Sequence, residues 1–228
     1  MMALYDAPYA RKYRERDDQL EQVASNQQLI DWLGEVCDRF THPIDVLDLG
    51  CGTGRYFWGL RNVKTLVGLD ASEPMLAEAR HPIHADRVNA ASLSLVHGDL
   101  ASHEFAPASF DLVYSIGVLA EHVRLDDALI ARVRRWLRPG GRFAFTTVHP
   151  ESPSVPRTTG RRLAEWTLPL LPAALSGGLH DRFVAGGMYG DERWLRDRLS
   201  EGFVIESLER FRTDVHLHGR CVARKAGE

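Results

Sequence analysis

Between Ile44 and Val148 short apolar runs alternate with amphipathic stretches, and each run ends in small or acidic residues. Runs this short with β-branched content read as buried strands. They fall at Asp45–Leu49, Thr65–Leu69, Leu93–Val96, Asp111–Ser115 and Arg142–Val148. Between them the period lengthens. A short helix is expected over Thr53–Leu60, and a second opens at Ser72, with Pro74 in its first turn, and runs to Arg80. A third carries Leu125, Leu129, Val133, Trp136 and Leu137 on one face and stops at Pro139-Gly140. Residues 81–92 show no period. Upstream, Tyr9–Phe40 reads as helical, with Leu20, Val23, Gln27, Ile30 and Leu33 to Val36 forming a mostly apolar stripe. Downstream, a helix over Asp191–Ser200 precedes two strands, Phe203–Glu209 and Val215–Ala223, expected to pair antiparallel. Strands alternating with helices predict one α/β domain with a doubly wound, mostly parallel sheet.

Residues 150–190 break this rhythm. Pro150, Pro153, Pro156, Pro169 and Pro172 are followed by Gly177, Gly178, Gly186, Gly187 and Gly190. Proline at that density excludes a central strand, so an irregular insertion over the sheet edge is expected.

Composition narrows the classes. Apolar residues make up 44% and charged residues 26%, as in an ordinary soluble domain. No apolar run reaches the ~20 residues of a membrane helix, and the basic, aromatic N-terminus shows no secretory signal. Cys37, Cys51 and Cys221 are odd in number and scattered, which suggests reduced thiols in a cytoplasmic protein. A net charge of −3 argues against a nucleic-acid substrate. Arg132, Arg134, Arg135, Arg138 and Arg142 do cluster, but on a helix and its exit, where a solvated face is expected.

The chemistry concentrates in Val46-Leu47-Asp48-Leu49-Gly50-Cys51-Gly52-Thr53-Gly54. Three glycines after a strand allow a sharp turn and leave room for a ligand against the backbone. Sixteen residues beyond Gly54, the second strand ends in Asp70, where an acid holds ribose hydroxyls. A dinucleotide loop would need its third glycine one residue later, where Arg55 stands, and a P-loop would need lysine and a hydroxyl. Asp48, taken as part of the loop, would repel a pyrophosphate and favour a ligand with a cationic end.

These residues resemble the first motif of the class I S-adenosylmethionine-dependent methyltransferases. The resemblance extends through His97-Gly98-Asp99-Leu100, Phe110 to Ser115 and Leu137-Arg138-Pro139-Gly140-Gly141-Arg142-Phe143, covering roughly residues 44–149. It is most similar to the small-molecule, ubiquinone-biosynthesis-like branch, and it implies strand order 3-2-1-4-5-7-6. It also implies S-adenosylmethionine as cofactor, with Asp70 and Ala71 at the ribose and Gly50, Cys51, Gly52 and Gly54 at the methionine part. Asp48 faces the cationic end, Met75 the adenine face, and Asp99, between Gly98 and Leu100, the adenine amino group. Ser115 and Ile116 lie under the sulfonium, and Tyr9 and Tyr13 belong to a lid. On this reading residues 1–42 are a helical lid, 43–149 the cofactor core, 150–190 a substrate cap and 191–228 the closing helix and hairpin.

A sulfonium methyl is already activated, so alignment and exclusion of water carry most of the reaction. A hydroxyl acceptor would also need a base, and two histidines follow strands: His122 and His149. A metal held by Glu121, His122 and His149 is the weaker alternative, because metal-dependent relatives carry another acid where Val118 stands; no metal is expected. The Asn-Pro-Pro-Tyr signature of amide and adenine methylation is replaced by Ser115-Ile116-Gly117-Val118. Trp166, Arg157, Arg161, Arg162, Phe183 and Met188 would line the acceptor wall. The expected activity is methylation of a small-molecule acceptor, O-methylation first. N- or C-methylation, a catalytically silent cofactor-binding protein and a non-methylating cyclase remain alternatives. The acceptor's identity and the oligomeric state stay open.

Overall fold

The protein is described here by a computed structural model, which covers residues 5–19, 22–155, 167, 190–213 and 215–227. Seven strands form one sheet: β1 (Ile44–Leu49), β2 (Val63–Asp70), β3 (Ala90–His97), β4 (Phe110–Ser115), β5 (Leu137–Val148), β6 (Phe203–Arg212) and β7 (Leu217–Lys225). Their order is β3-β2-β1-β4-β5-β7-β6, as expected. The first five pair in parallel, and β7 runs antiparallel between β5 and β6. Every residue of β4 is buried. A central parallel strand is covered on both faces, so its sequence reads as an unbroken apolar run.

Alternate strand residues enter opposite layers. Leu47, Leu49, Val113 and Phe143 pack against α4 (Asp127–Trp136) and α5 (Glu192–Leu199), through Val133, Trp136 and Leu195. Ile44, Val46, Leu66 and Leu112 pack against Trp32, Leu33 and Val36 of α2 (Ala24–Cys37). α3 (Glu73–Ala79) follows β2 and is capped by Ser72, whose Oγ accepts from the Met75 amide at 3.3 Å.

Several expectations are corrected. The helical pattern over Tyr9–Phe40 is two helices, α1 (Ala7–Asp17) and α2. Only α2 joins an apolar core, so residues 1–42 are not all lid. The stretch Thr53–Leu60 is a series of tight turns and a single 3₁₀ turn at Phe57–Gly59. Its amides bond three residues back, Phe57 to Gly54 and Leu60 to Phe57. Gly54, at φ +75°, sets the chain off the α path at its start.

β2 and β3 begin earlier than the apolar runs suggested. β5 follows α4 directly, so Pro139-Gly140 lies inside the strand and not at a helix exit. The register slips there, between the pairs Phe110–Leu137 and Leu112–Arg142. A side chain at Gly141 would meet the carbonyls of Arg138 and Asp111 at 3.0 Å, a tight approach that favours glycine. β6 and β7 each extend two or three residues past the expected ends, and β7 starts at Leu217.

The arginine cluster is partly exposed, as expected, but most of its members are also paired. Arg138 bridges Asp45 at 2.8 Å and Asp111 at 2.7 Å, tying together β1 and β4 at their amino ends. Arg142 pairs with Glu206 at 2.9 Å, Arg135 pairs with Glu104, and Arg132 donates to the carbonyls of Leu100 and Ala101. The acceptor-wall residues expected within 156–190 lie outside the described residues.

Candidate functional site

At the carboxyl ends of β1, β2, β3 and β4 lies a cavity of about 680 Å³, roofed by α1. Ligands of open α/β sheets bind at this edge. The turn after β1 is held from below: the amides of Gly50 and Cys51 both donate to the Leu69 carbonyl, at 2.8 and 3.0 Å. Gly50 (φ +77°) and Gly52 (φ +54°) adopt left-handed backbone. A side chain at Gly50 would run into Val118 at 2.6 Å.

Asp70 ends β2 and faces the cavity. Its Oδ2 accepts from the Gly52 amide and its Oδ1 from the Ser72 amide, both at 2.8 Å. The carboxylate thus fixes the glycine turn and keeps lone pairs for a ligand. Burial pushes its pKa up, and those amides pull against the rise. Ala71, Cys51, Met75, Gly98, Asp99 and Leu100 line the same half. Met75, 4% exposed, lies under Gly52, where its Cε would be 3.3 Å from an added side chain. Asp99 Oδ1 accepts from the Ala101 amide at 2.8 Å, so Asp99 both shapes its turn and faces the cavity.

Three expected cofactor contacts change meaning. Asp48 is not in the loop but in β1, 3% exposed. Burial raises its carboxyl to about 8; the neighbouring Tyr114 hydroxyl offsets part of this and the Asp70 charge adds to it. Gly54 does not line the cavity: a side chain there would strike Phe57 at 2.6 Å, so this glycine serves packing. Ser115 is fully buried and donates to the Leu49 carbonyl at 2.8 Å, holding β4 to the end of β1. The cavity wall there is Ile116, Gly117 and Val118.

The roof was only partly foreseen. Tyr13 and Tyr9 stack at 5.9 Å, and Tyr5 meets Tyr9 edge-on at 5.2 Å. One helical turn beyond Tyr13 lies Asp17, fully buried. It accepts from Arg55 Nε at 2.6 Å and from Thr53 Oγ1 at 2.5 Å, and the Arg55 guanidinium lies 4.4 Å over the Tyr13 ring. Burial lifts the Asp17 carboxyl above the usual range despite the pull of Arg55 and Thr53. The spacing Tyr9, Tyr13, Asp17 places all three on one face of α1 and was the available signal.

The two histidines part company. His122 lines the cavity, with the Tyr5 hydroxyl 3.0 Å from its Nε2. His149 does not line it. Its Nδ1 accepts from the Glu151 amide at 3.1 Å and its Nε2 faces Glu192 at 3.3 Å, so its basic lone pair is already used. Glu121 lies 3.8 Å from His218 Nδ1. Among the described residues no group of three or more His, Cys, Asp or Glu is gathered as for a metal ion.

A family model described as a methyltransferase domain matches residues 46–141. Residues 46–141 are thus similar to a methyltransferase domain. The matched segment holds the motifs that resemble those of the class I S-adenosylmethionine-dependent methyltransferases. The chain is 40% identical over 110 residues to a malonyl-[acyl-carrier protein] O-methyltransferase of Enterobacter lignolyticus, covering 47% of this chain and 40% of that protein. It is 35% identical over 128 residues to an arsenite methyltransferase of Aquipseudomonas alcaligenes, covering 52% and 36% respectively. The chain thus spans about two fifths of the length of these curated relatives. A solved S-adenosylmethionine-dependent methyltransferase from Mesorhizobium loti is 25% identical, with a TM-score of 0.58, and covers 86% of this chain and 98% of that one. The matched segment contains the glycine turn, Asp70, Asp99 and His122, but not α1, His149 or the 150–190 insertion.

Proposed function

We propose that this chain is an S-adenosylmethionine-dependent methyltransferase acting on the hydroxyl of a small molecule, with His122 as general base. One observation carries the reading: the cavity joins a glycine turn and a β2-terminal carboxylate at one end to a histidine in an apolar wall at the other. The residues present fit the cofactor. The glycine turn is a cradle that a side chain would fill, Asp70 keeps acceptors for a diol, and Asp48 is a buried acid whose charge needs a cation nearby. When bound, S-adenosylmethionine supplies a methyl already activated on a sulfonium.

The protein's share is then orientation and proton handling. Asp70 would hold the ribose hydroxyls, Met75 and Leu100 would flank the adenine, and Asp99 would accept from its amino group. The α1 tyrosines close the cavity and exclude water. As the acceptor oxygen attacks, its proton passes to a ring nitrogen of His122, and the Tyr5 hydroxyl keeps that ring edge-on to the roof.

The test has two stages. Calorimetry should show binding of S-adenosylmethionine and its demethylated product but not of NAD; tighter binding of NAD would overturn the cofactor reading. Product mass spectrometry with hydroxyl, amine and carbon acceptors then decides the atom methylated. A gain of one methyl only on nitrogen or carbon would replace O-methylation. The three cysteines are all free and buried, and no helix among the described residues is long and apolar enough to cross a membrane. Both are compatible with work in a reducing cytoplasm.

A further inference from the structure

Beside the apolar wall of the cavity lies one cation, Arg124, for which the described residues supply no partner. That wall is Ile116, Gly117, Val118 and Val123, apolar or small, and beside them lie His122 and Arg124. Every other charged group of the cavity is engaged or sits at the cofactor end. Arg55 is bound to Asp17, and Asp48, Asp70 and Asp99 lie by the glycine turn or on the β3 side. Arg124 has no hydrogen bond or ion pair among the described residues, although acids are near it in sequence. Asp126 caps α4 through the Leu129 amide at 2.8 Å, Asp127 pairs with Arg198 at 2.5 Å, and Glu121 faces His218.

The loop that presents it is not slack. The Val118 carbonyl accepts from the amides of Glu121, His122 and Val123, at 3.3, 2.9 and 3.1 Å, and the Ala120 amide bonds back to the Val123 carbonyl at 2.8 Å. Ala120 takes φ +63°, a left-handed conformation that costs a residue with a side chain. The strained turn fixes His122 and Arg124 two residues apart on the same wall. A guanidinium offers a planar fork that matches a carboxylate, and Arg124 is exposed at the cavity wall, open to a ligand.

We propose that the acceptor is an apolar hydroxy acid, its carboxylate held by Arg124 while its hydroxyl meets His122. This rests on the methyltransferase reading above and adds a substrate class to it. The test uses matched pairs, hydroxyarene and hydroxyalkyl carboxylates against their carboxamides, with S-adenosylmethionine. Both turnover and binding to protein loaded with the demethylated cofactor are measured. The acids are expected to be favoured at least tenfold over their amides. Arg124→Ala should erase that preference by raising KM for the acids at least tenfold, with kcat and cofactor affinity nearly unchanged. Arg124→Lys should restore part of it, since a point charge replaces the fork. Equal binding of acids and amides by the wild-type protein would overturn the proposal while leaving cofactor binding intact. So would a preference that survives in Arg124→Ala. Failure to bind the cofactor at all would overturn it together with the reading it rests on.

Discussion

The two ends of one cavity are built on different principles. The cofactor end stands on strand termini. β1 and β2 place the glycine turn and Asp70, and five backbone amides, those of Gly50, Cys51, Gly52, Ser72 and Ala101, lock the turns that surround the ligand. The acceptor end stands on one strained turn after β4 and on a helix clamped from outside the core. A site fixed by the sheet recognises the same ligand wherever the sheet recurs, whereas a site hung on loops is free to change its ligand. The relatives fit this contrast: one is named for a malonyl carrier protein and another for arsenite.

The largest expected effect tests the acceptor end. His122→Ala should lower transfer to a hydroxyl by about 10²–10⁴-fold, with cofactor affinity nearly unchanged. His149→Ala is the contrast. Its ring is committed to Glu151 and Glu192, so turnover should survive apart from any loss of folded protein. The reverse pattern, with His149 essential and His122 dispensable, would move the base to the root of the insertion.

The cofactor end is tested by Asp70→Ala. Ribose hydrogen bonds to a carboxylate are worth about 1.5–3 kcal/mol each, so affinity should fall at least tenfold. The variant also frees the amides of Gly52 and Ser72, so part of the loss will be disorder of the turn. Asp70→Asn separates the two, since its amide oxygen still accepts from one of those amides. An unchanged dissociation constant in both variants would place the ribose elsewhere.

The same contrast explains what the sequence made legible. Strand positions and the candidate turn at Asp70 follow from contiguous residues, because a buried parallel strand and the turn after it are local patterns, whereas the sheet order came from the resemblance of the motifs. What went unread was tertiary. Nothing within Gly50–Leu60 tells that Arg55 reaches back 38 residues to a buried Asp17, or that Gly54 is held by Phe57 and not by a ligand. By sequence both histidines follow strands and His149 ranks slightly above His122; only the positions of Glu151 and Glu192 reveal that its ring is already used. Arg124 gave no signal, since an unpaired arginine is recognised only after its neighbours' partners are known.

Asp48 gives a smaller effect at the cofactor end, read as a pH dependence. Its carboxyl is raised by burial from its ordinary range to about 8. The sign follows from linkage: the stability linked to its proton is fully present below the unfolded value, near 4, and is lost as pH rises through about 8. Without ligand, the melting temperature should therefore decline over that interval, and less steeply in Asp48→Asn. A cationic ligand reverses the preference. Binding of S-adenosylmethionine should release up to one proton near neutral pH and tighten by at most about tenfold per pH unit below 8. Calorimetry in buffers of different ionisation enthalpy measures this directly. Proton uptake on binding, or identical release from Asp48→Asn, would remove Asp48 from the cofactor's electrostatics.

The smallest effect is expected at the roof, where the two ends meet. α1 contributes to neither apolar core cluster, so its hold on the domain is mostly polar. Asp17 takes the largest part through Arg55 and Thr53, and the Ser72 hydroxyl adds a bond of 2.9 Å to the Tyr5 carbonyl. A buried carboxylate bound to both the glycine turn and the roof links cofactor retention to the closed helix. Asp17→Asn keeps the shape and one acceptor but removes the charge, leaving Arg55 desolvated without a counter-ion. Because the core does not include α1, the global melting temperature should move little. The helix should open locally more often instead. The expected result is a several-fold faster release of the demethylated cofactor, with faster amide exchange over Ala7–Asp17 and unchanged exchange in β1 and β4. Equal loss of protection throughout the sheet would mean that Asp17 supports the whole fold, and an unchanged release rate with an exposed α1 would mean that the cofactor end holds its ligand without the roof.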